Sequence, residues 1–348
     1  MTTTQGHASM ADVAQLAGVS VSTVSRALRG SPLVSPDTTD RVVAAAAELS
    51  FAISRAASSL ASGRVGRIGV LLGGSLQSWF NGSVLDAAYA RLLEADSELT
   101  IFRIQSRAER DEFFTRLPAR RNVDAMIVAS FALTTAERRR LQGLGVPVVF
   151  LNQRVRGVPS VSIDDAAGAR DGVQHLLDLG HRRIAFVRAE NRLGFSYSAL
   201  QRIDGFRSAM SAAGVPQPEQ LVLTALEVGD AKRVVEEVLA DPRPPTALAA
   251  DSDELAVSIL SAMWAAGLQA PQDLSLLGFD DHAMAAPLGL STVAQPVALL
   301  GTRAASMALD LAAGQTPARR VVVLPTRLVL RRTTGPLVPE WGSAAVHT

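Results

Sequence analysis

An all-α head followed by a two-lobed α/β core of parallel sheets is the fold class this sequence predicts. Three observations carry it. Residues 11 to 49 read as short helices with cap signals. From Ile68 onward, strand-length apolar runs alternate with helical patterns. That alternation occurs twice, with a break near residues 152 to 162. Alternation of this kind marks βαβ units, which build parallel sheets covered on both faces.

In the head, "ADVAQLA" predicts a helix over Ala11 to Ala17, stopped by Gly18. A second helix runs from Val21 to about Leu28, with Ser20 placed as its N-cap. A third opens at Ser35-Pro36, a cap residue followed by proline at the first helical position, and continues through "RVVAAAAEL". Two short helices joined by a tight glycine-containing turn form a helix-turn-helix. Ala14 is small where the helices must approach, Gly18 takes the turn, and Val24 and Leu28, four apart, face inward. Val21, Ser22, Thr23, Ser25, Arg26 and Arg29 are left for outward positions. Hydroxyls and free N–H groups at a helix start bind phosphates, and arginine pairs bidentately with guanine, so this face is a candidate reader of double-stranded DNA. The competing reading is a hairpin that only packs against its neighbours. Composition favours neither: residues 1 to 62 hold Arg26, Arg29, Arg41 and Arg55 against Asp12, Asp37, Asp40 and Glu48, which is no basic patch.

After Phe51, "SRAASSLASGRVGR" is small, polar and ends in glycines, as a linker does. The core strands are expected at "RIGVLL", "LTIFRI", "DAMIVA" and "VPVVFL", then at "RRIAFV", "QLVLTA", "TALAA" and "LSLLGF". The late runs "VVVL" and "RLVLRR" are expected to return and close the second lobe. After Pro336 the remaining residues carry no heptad run able to zip dimers into tetramers, so a dimer is expected.

Of the 348 residues 48% are hydrophobic and 19% charged, with a net charge of +1, so electrostatics single out no partner. The absence of cysteine excludes disulfides and thiolate metal sites. "MTTTQGHASMADV" has no basic segment followed by an apolar one, and the apolar runs are far short of a membrane span. A soluble, cytoplasmic protein with no membrane partner is expected. No G-x-S-x-G elbow, phosphate loop or H-E-x-x-H helix occurs, and the five histidines are spread widely. Neither catalytic residues, nor a metal, nor a cofactor is therefore expected.

"ADVAQLAGVSVSTVSRAL", "VSPDTTDRVVAAAAELSF" and "SRAASSLASG" resemble, in order and spacing, the head and hinge of the LacI/GalR family of bacterial transcriptional regulators. "LLDLGHRRIAFV", "QRIDGF", "PTALAADSDELA", "DLSLLGFDD" and "LPTRLVLRRTTG" are similar to that family's periplasmic-binding-protein-like core, so the likeness runs from about Ser9 to Gly335. The resemblance implies a DNA-binding head over 9–52, a hinge helix and linker over 53–66, a ligand-binding and dimerisation core over 67–335 and a tail over 336–348. It implies a homodimer, most naturally a repressor, on a roughly palindromic operator, answering to a small effector such as a sugar or sugar derivative. Leu60 matches the hinge leucine that wedges a base step in the minor groove, with Ser54, Arg55 and Ala57 beside it. Ile53 and Ser54 stand where the family commonly has proline and asparagine. Such a hinge is too short to stay helical alone, and an apolar wedge bends the duplex it enters.

The effector is expected in the cleft between the lobes, at the carboxyl ends of parallel strands. By the resemblance, Arg202 in "QRIDGF" and Asp280 in "GFDD" match ligand-binding positions. The competing readings are a surface arginine and a helix N-cap. Trp79 and Phe80 follow the first core strand, where the family places ligand-stacking aromatics, and core packing is the alternative. Ser75 lies in the same loop, and Ser198 matches a ligand position that also suits a cap. Asn152 replaces a common acidic residue, Ser252 a common asparagine, and Leu226 falls near a stacking tryptophan position. Asp253 keeps the family pattern, and His181 in "LGHRRI" reads as structural. The rival function is a solute-binding protein that only captures sugar; it has no use for residues 12 to 62.

Overall fold

The computed structural model describes residues 8–28, 31, 33–49, 51, 64–129, 132–189, 197–216, 222–225 and 230–338. They divide into two compact units between Gly66 and Arg67. In the first unit, α1 (Met10–Ala17), α2 (Val21–Ala27) and α3 (Pro36–Glu48) pack around Val13, Ala14, Ala17, Val24, Ala27, Val42, Ala45 and Ala46. Ser9 and Asp12 form a reciprocal capping box on α1, a start signal that the reading from Ala11 does not include. Gly18 ends the helix at φ 68°, the left-handed conformation a β-carbon resists. Ser20 and Ser35 cap α2 and α3 through the amides of Thr23 and Thr38.

The second unit begins with β1 (Arg67–Gly73), α4 (Trp79–Leu93), β2 (Glu98–Ile104), α5 (Arg107–Arg116), β3 (Ala125–Ala129), α6 (Thr135–Gln142), β4 (Val148–Leu151) and β5 (Ser160–Ile163). It continues through α7 (Asp165–Asp178), β6 (Ile184–Ala189), α8 (Tyr197–Ala212), β7 (Val222–Ala225), α9 (Ala231–Ala240), β8 (Ala247–Ala250), α10 (Asp253–Ala265) and β9 (Ser275–Asp280). The chain closes with α11 (Ala285–Leu288), β10 (Ser291–Ala294), α12 (Val297–Ala312), β11 (Val321–Leu324) and β12 (Arg327–Val329). Two six-stranded sheets result, in the orders β11-β5-β4-β3-β1-β2 and β12-β10-β9-β8-β6-β7. All pairings are parallel except that of β10 with β12. The inner strands are buried on both faces, which is why they read as unbroken apolar runs.

One strand goes elsewhere than expected. "VVVL" does not close the second lobe: β11 pairs with β5 in the first, Val321 opposite Ser160. The cause is α12, whose Leu300, Ala304 and Ala308 sit in the first-lobe core with Val84, Ala88 and Leu92 of α4. Gly301 lets α12 approach closely, since a β-carbon there would lie 2.6 Å from the Val84 carbonyl oxygen. The strand after α12 therefore starts beside the first sheet, and only Arg327–Val329 crosses to the second. Strands β5 and β10 are additions to the expected set. Their Ser160, Ser162, Ser291 and Thr292 are buried, so each strand lacks an apolar run. Among the described residues no helix is long and apolar enough to cross a membrane.

Candidate functional site

On α2 the side chains left outward by Val24 and Ala27 are those expected. Val21 is 47% exposed, Ser22 and Arg26 are exposed, and Thr23 and Ser25 are half-buried. The Ser20 hydroxyl lies 2.8 Å from those of both Ser22 and Thr23, so the cap organises the hydroxyls at the helix start. Arg29, Ser54, Arg55, Ala57 and Leu60 lie outside the described residues, as does Leu226.

In the core, the carboxyl ends of β1, β4, β6, β8 and β9 face the cleft between the sheets, where an open parallel sheet binds its ligands. Backbone strain collects there. Asn152 after β4 has φ 53°, Asp280 at the end of β9 has φ 133°, and Asp281 has φ 61°. Side chains resist such angles, and they persist where surrounding structure holds them.

Arg202 of α8 is the centre of a buried cluster. Its Nε donates to Asp165 Oδ1 at 2.9 Å, and Nη1 donates to the Asp251 carbonyl and lies 3.6 Å from Asp280 Oδ1. The guanidinium carbon stands 3.6 Å above the Phe279 ring. Arg202 is not a surface residue; its Nε and Nη1 are held by the protein. Burial works against its charge, and Asp165 and Asp280 more than restore it, raising its pKa. Asp280 is no helix cap. Its Oδ1 accepts from Gln295 Nε2 at 2.6 Å, and burial, opposed by Arg202, pushes its carboxyl up to about 8. Burial likewise raises Asp251 to about 6 and lifts Asp165 and Asp253.

Around this cluster the other candidates take places of two kinds. Asn152 is buried and donates from Nδ2 to Ser198 Oγ at 2.8 Å, which joins two candidates from different lobes. Asn152, with Arg154, Ser162, Asp164, Asp165, Tyr197 and others, borders a cavity of about 210 Å³. Ser252 caps α10 through the Leu255 amide, the structural job of such a serine. Asp253 ties α10 to the strand ends, accepting from Thr292 Oγ1 and from the His282 amide at 2.7 Å each. Ser75 is exposed and accepts from the Gln77 amide, and Phe80 packs on the first-lobe core. Trp79 touches that core and also reaches the second lobe: its amide donates to Glu254 Oε1 at 3.2 Å, and its ring meets His282. His181 is buried between Thr246 Oγ1 and the Gly335 carbonyl, holding two loops together.

Asp165, Asp251, His282 and Gln295 are the residues that sequence reasoning passed over. Asp165 opens a helix in "SIDDAAGA" and Asp251 ends a strand, so each reads locally as a cap or a loop polar group. Only the convergence of α7, α8, β8 and β9 gives them a shared role.

Two family models match this chain: "Bacterial regulatory proteins, lacI family" over residues 9–54, and "Periplasmic binding protein-like domain" over residues 173–334. The HTH-type transcriptional regulator DegA of Bacillus subtilis is 31% identical over 335 residues, covering 94% of this chain and 98% of its own. A crystal structure of the lac repressor dimer bound to operator and the anti-inducer ONPF has a TM-score of 0.82 at 27% identity, covering 95% of this chain and all of that one. A complex of the transcriptional regulator CelR with cellobiose has a TM-score of 0.67 at 28% identity, covering 94% and 99%.

Proposed function

Since the chain belongs to the LacI family of bacterial regulatory proteins and is a DNA-binding transcriptional regulator rather than an enzyme, we propose that it is a homodimeric repressor controlled by a sugar-like effector. Residues 9–52 read a roughly palindromic operator, 53–66 act as hinge, and 67–335 bind effector and hold the dimer. The tail over 336–348 carries no function in this reading. The action is cytoplasmic, where the operator is. The observation that carries the proposal is one chain holding both a capped helix-turn-helix and a buried charged cluster where two lobes meet. The lac repressor and CelR structures, with operator and cellobiose respectively, support the same pairing of partners.

Val21, Ser22, Thr23, Ser25, Arg26 and Arg29 face the major groove, and Arg26 reads a base edge. Ser54, Arg55, Ala57 and Leu60 meet the minor groove, where the Leu60 side chain opens a base step. In the cleft, Asn152, Ser198, Arg202 and Asp280 form the wall, and Trp79 with Ser75 and Phe80 covers it from the first lobe. Ser252 and Leu226 complete the second-lobe side. Effector changes the angle between the lobes, the first lobes shift at the dimer interface, and the hinges lose or gain the spacing that lets both heads dock. An operator-binding titration on the full chain, with and without a panel of sugars, tests this. Protection of a palindrome near its own gene, altered by one sugar, is the expected result. Binding of sugar with no protected DNA would instead favour the solute-binding reading.

A further inference from the structure

Among the described residues of the cleft, buried carboxyl groups outnumber buried guanidinium groups. Arg202 is, among the described residues, the buried guanidinium of the cleft, with Nε held by Asp165, Nη1 by the Asp251 carbonyl and Asp280, and its face on Phe279, while Arg154 on the cavity wall is paired with Asp164 at 3.3 Å. Arg331 at the rim is spent on Asp281 at 2.7 Å, and Arg188, which faces Asp251, donates to Thr224 Oγ1. Against these stand the buried carboxyl groups of Asp165, Asp251, Asp253 and Asp280.

A second, independent feature is an unmet acceptor. Gln295 is only 6% exposed, and its amide nitrogen is fixed on Asp280 at 2.6 Å. The oxygen of the same amide has no hydrogen-bond partner among the described residues. A buried acceptor left open is costly, and a ligand donor would satisfy it. The Ser162 hydroxyl, on the wall of the 210 Å³ cavity that Asp165 shares, is also buried with no partner among the described residues.

Resting on the assignment of this cleft as the effector site, we infer that the effector is a cationic, hydroxyl-rich molecule of the amino-sugar class, and that sugar acids and sugar phosphates are rejected. Ammonium and hydroxyl donors match Asp251, Asp280 and the Gln295 oxygen. An added anion would enter beside the buried carboxyl groups of Asp165, Asp251 and Asp280 and compete with them for Arg202. The protein already neutralises part of the cluster with protons, since burial raises Asp280 to about 8 and Asp251 to about 6. A ligand cation is the alternative way to neutralise the same groups.

The experiment is calorimetric titration of the full-length protein at pH 7 with glucosamine, galactosamine and mannosamine. The neutral parent hexoses, the N-acetyl derivatives, the uronic acids and the 6-phosphates are titrated in parallel. At least one amine should bind ten or more times tighter than its parent sugar, and acetylation should abolish that advantage. Asp251→Asn, checked for folding by its circular dichroism spectrum, should narrow the gap between amine and parent at least threefold. The inference is overturned if no amine binds, if the parent or N-acetyl sugar binds as well, or if an acid or phosphate binds best. In those last cases, a sugar that still shifts operator affinity leaves the regulator reading intact. An amine that binds tightly without altering operator affinity supports the inference and overturns the proposed coupling.

Discussion

The indole of Trp79 lies 5.4 Å from the imidazole of His282, centroid to centroid, with the rings tilted 57° to each other. Trp79 opens α4 of the first lobe, and His282 follows β9 of the second. The contact therefore spans the cleft mouth, beside the hydrogen bond from the Trp79 amide to Glu254. An aromatic pair contributes about 0.5–1.5 kcal/mol beyond the area it buries.

Trp79→Ala is predicted to remove this bridge while leaving both sheets folded. Ligand affinity should fall by about tenfold, in line with the loss of roughly 1 kcal/mol and of covered area. Titration calorimetry on the full chain checks it. Wild-type affinity in the mutant would place the indole outside the ligand's cover.

Arg202→Met keeps much of the volume but leaves Asp165 and Asp280 buried without their guanidinium. Breaking a buried pair by removing one partner costs about 3–5 kcal/mol. Urea unfolding of the core should show a loss of that order. A loss below about 1 kcal/mol would mean that protons or water neutralise the two carboxyl groups.

Stability should depend on pH through Asp280. Its carboxyl stays protonated in the fold up to about 8, against an ordinary 3.8. Between those values unfolding releases a proton, so this group's contribution is complete below about 4 and is lost as pH rises through about 8. Asp251, raised to about 6, adds to the decline over the lower part of that window. The melting temperature of the core is expected to fall between pH 5 and 8. Asp280→Asn, which cannot ionise, should flatten the upper half of the curve; an unchanged slope would assign it to other groups.

Arg26 is exposed on the outward face of α2 and is the long side chain among short ones there. Arg26→Ala should cost about 1–3 kcal/mol of operator affinity and relax specificity at one position per half-site. Equal weakening on specific and random duplexes would make it a phosphate contact.

Much of this architecture was legible locally. Cap residues, a left-handed glycine and inward valines define the helix-turn-helix, because helix ends and turns are settled within a few residues of chain. The inner strands announce themselves because both their faces are buried and every position must be apolar. What the sequence hid has one physical cause: it depends on contacts between elements far apart in the chain. "VVVL" is a strand by composition, yet its sheet was decided by where α12 packs. Strands β5 and β10 were masked by serines and threonine whose burial only the assembled sheets impose. Arg202 and Asp280 were visible as chemistry, but their bond to each other through a 3.6 Å gap, and the surrounding Asp165, Asp251 and Gln295, exist only once α7, α8, β8, β9 and the chain entering α12 converge. The sequence by itself determined the elements and the residue types available to the cleft. The tertiary structure decided which of those charges neutralise one another, because that balance depends on distance and burial.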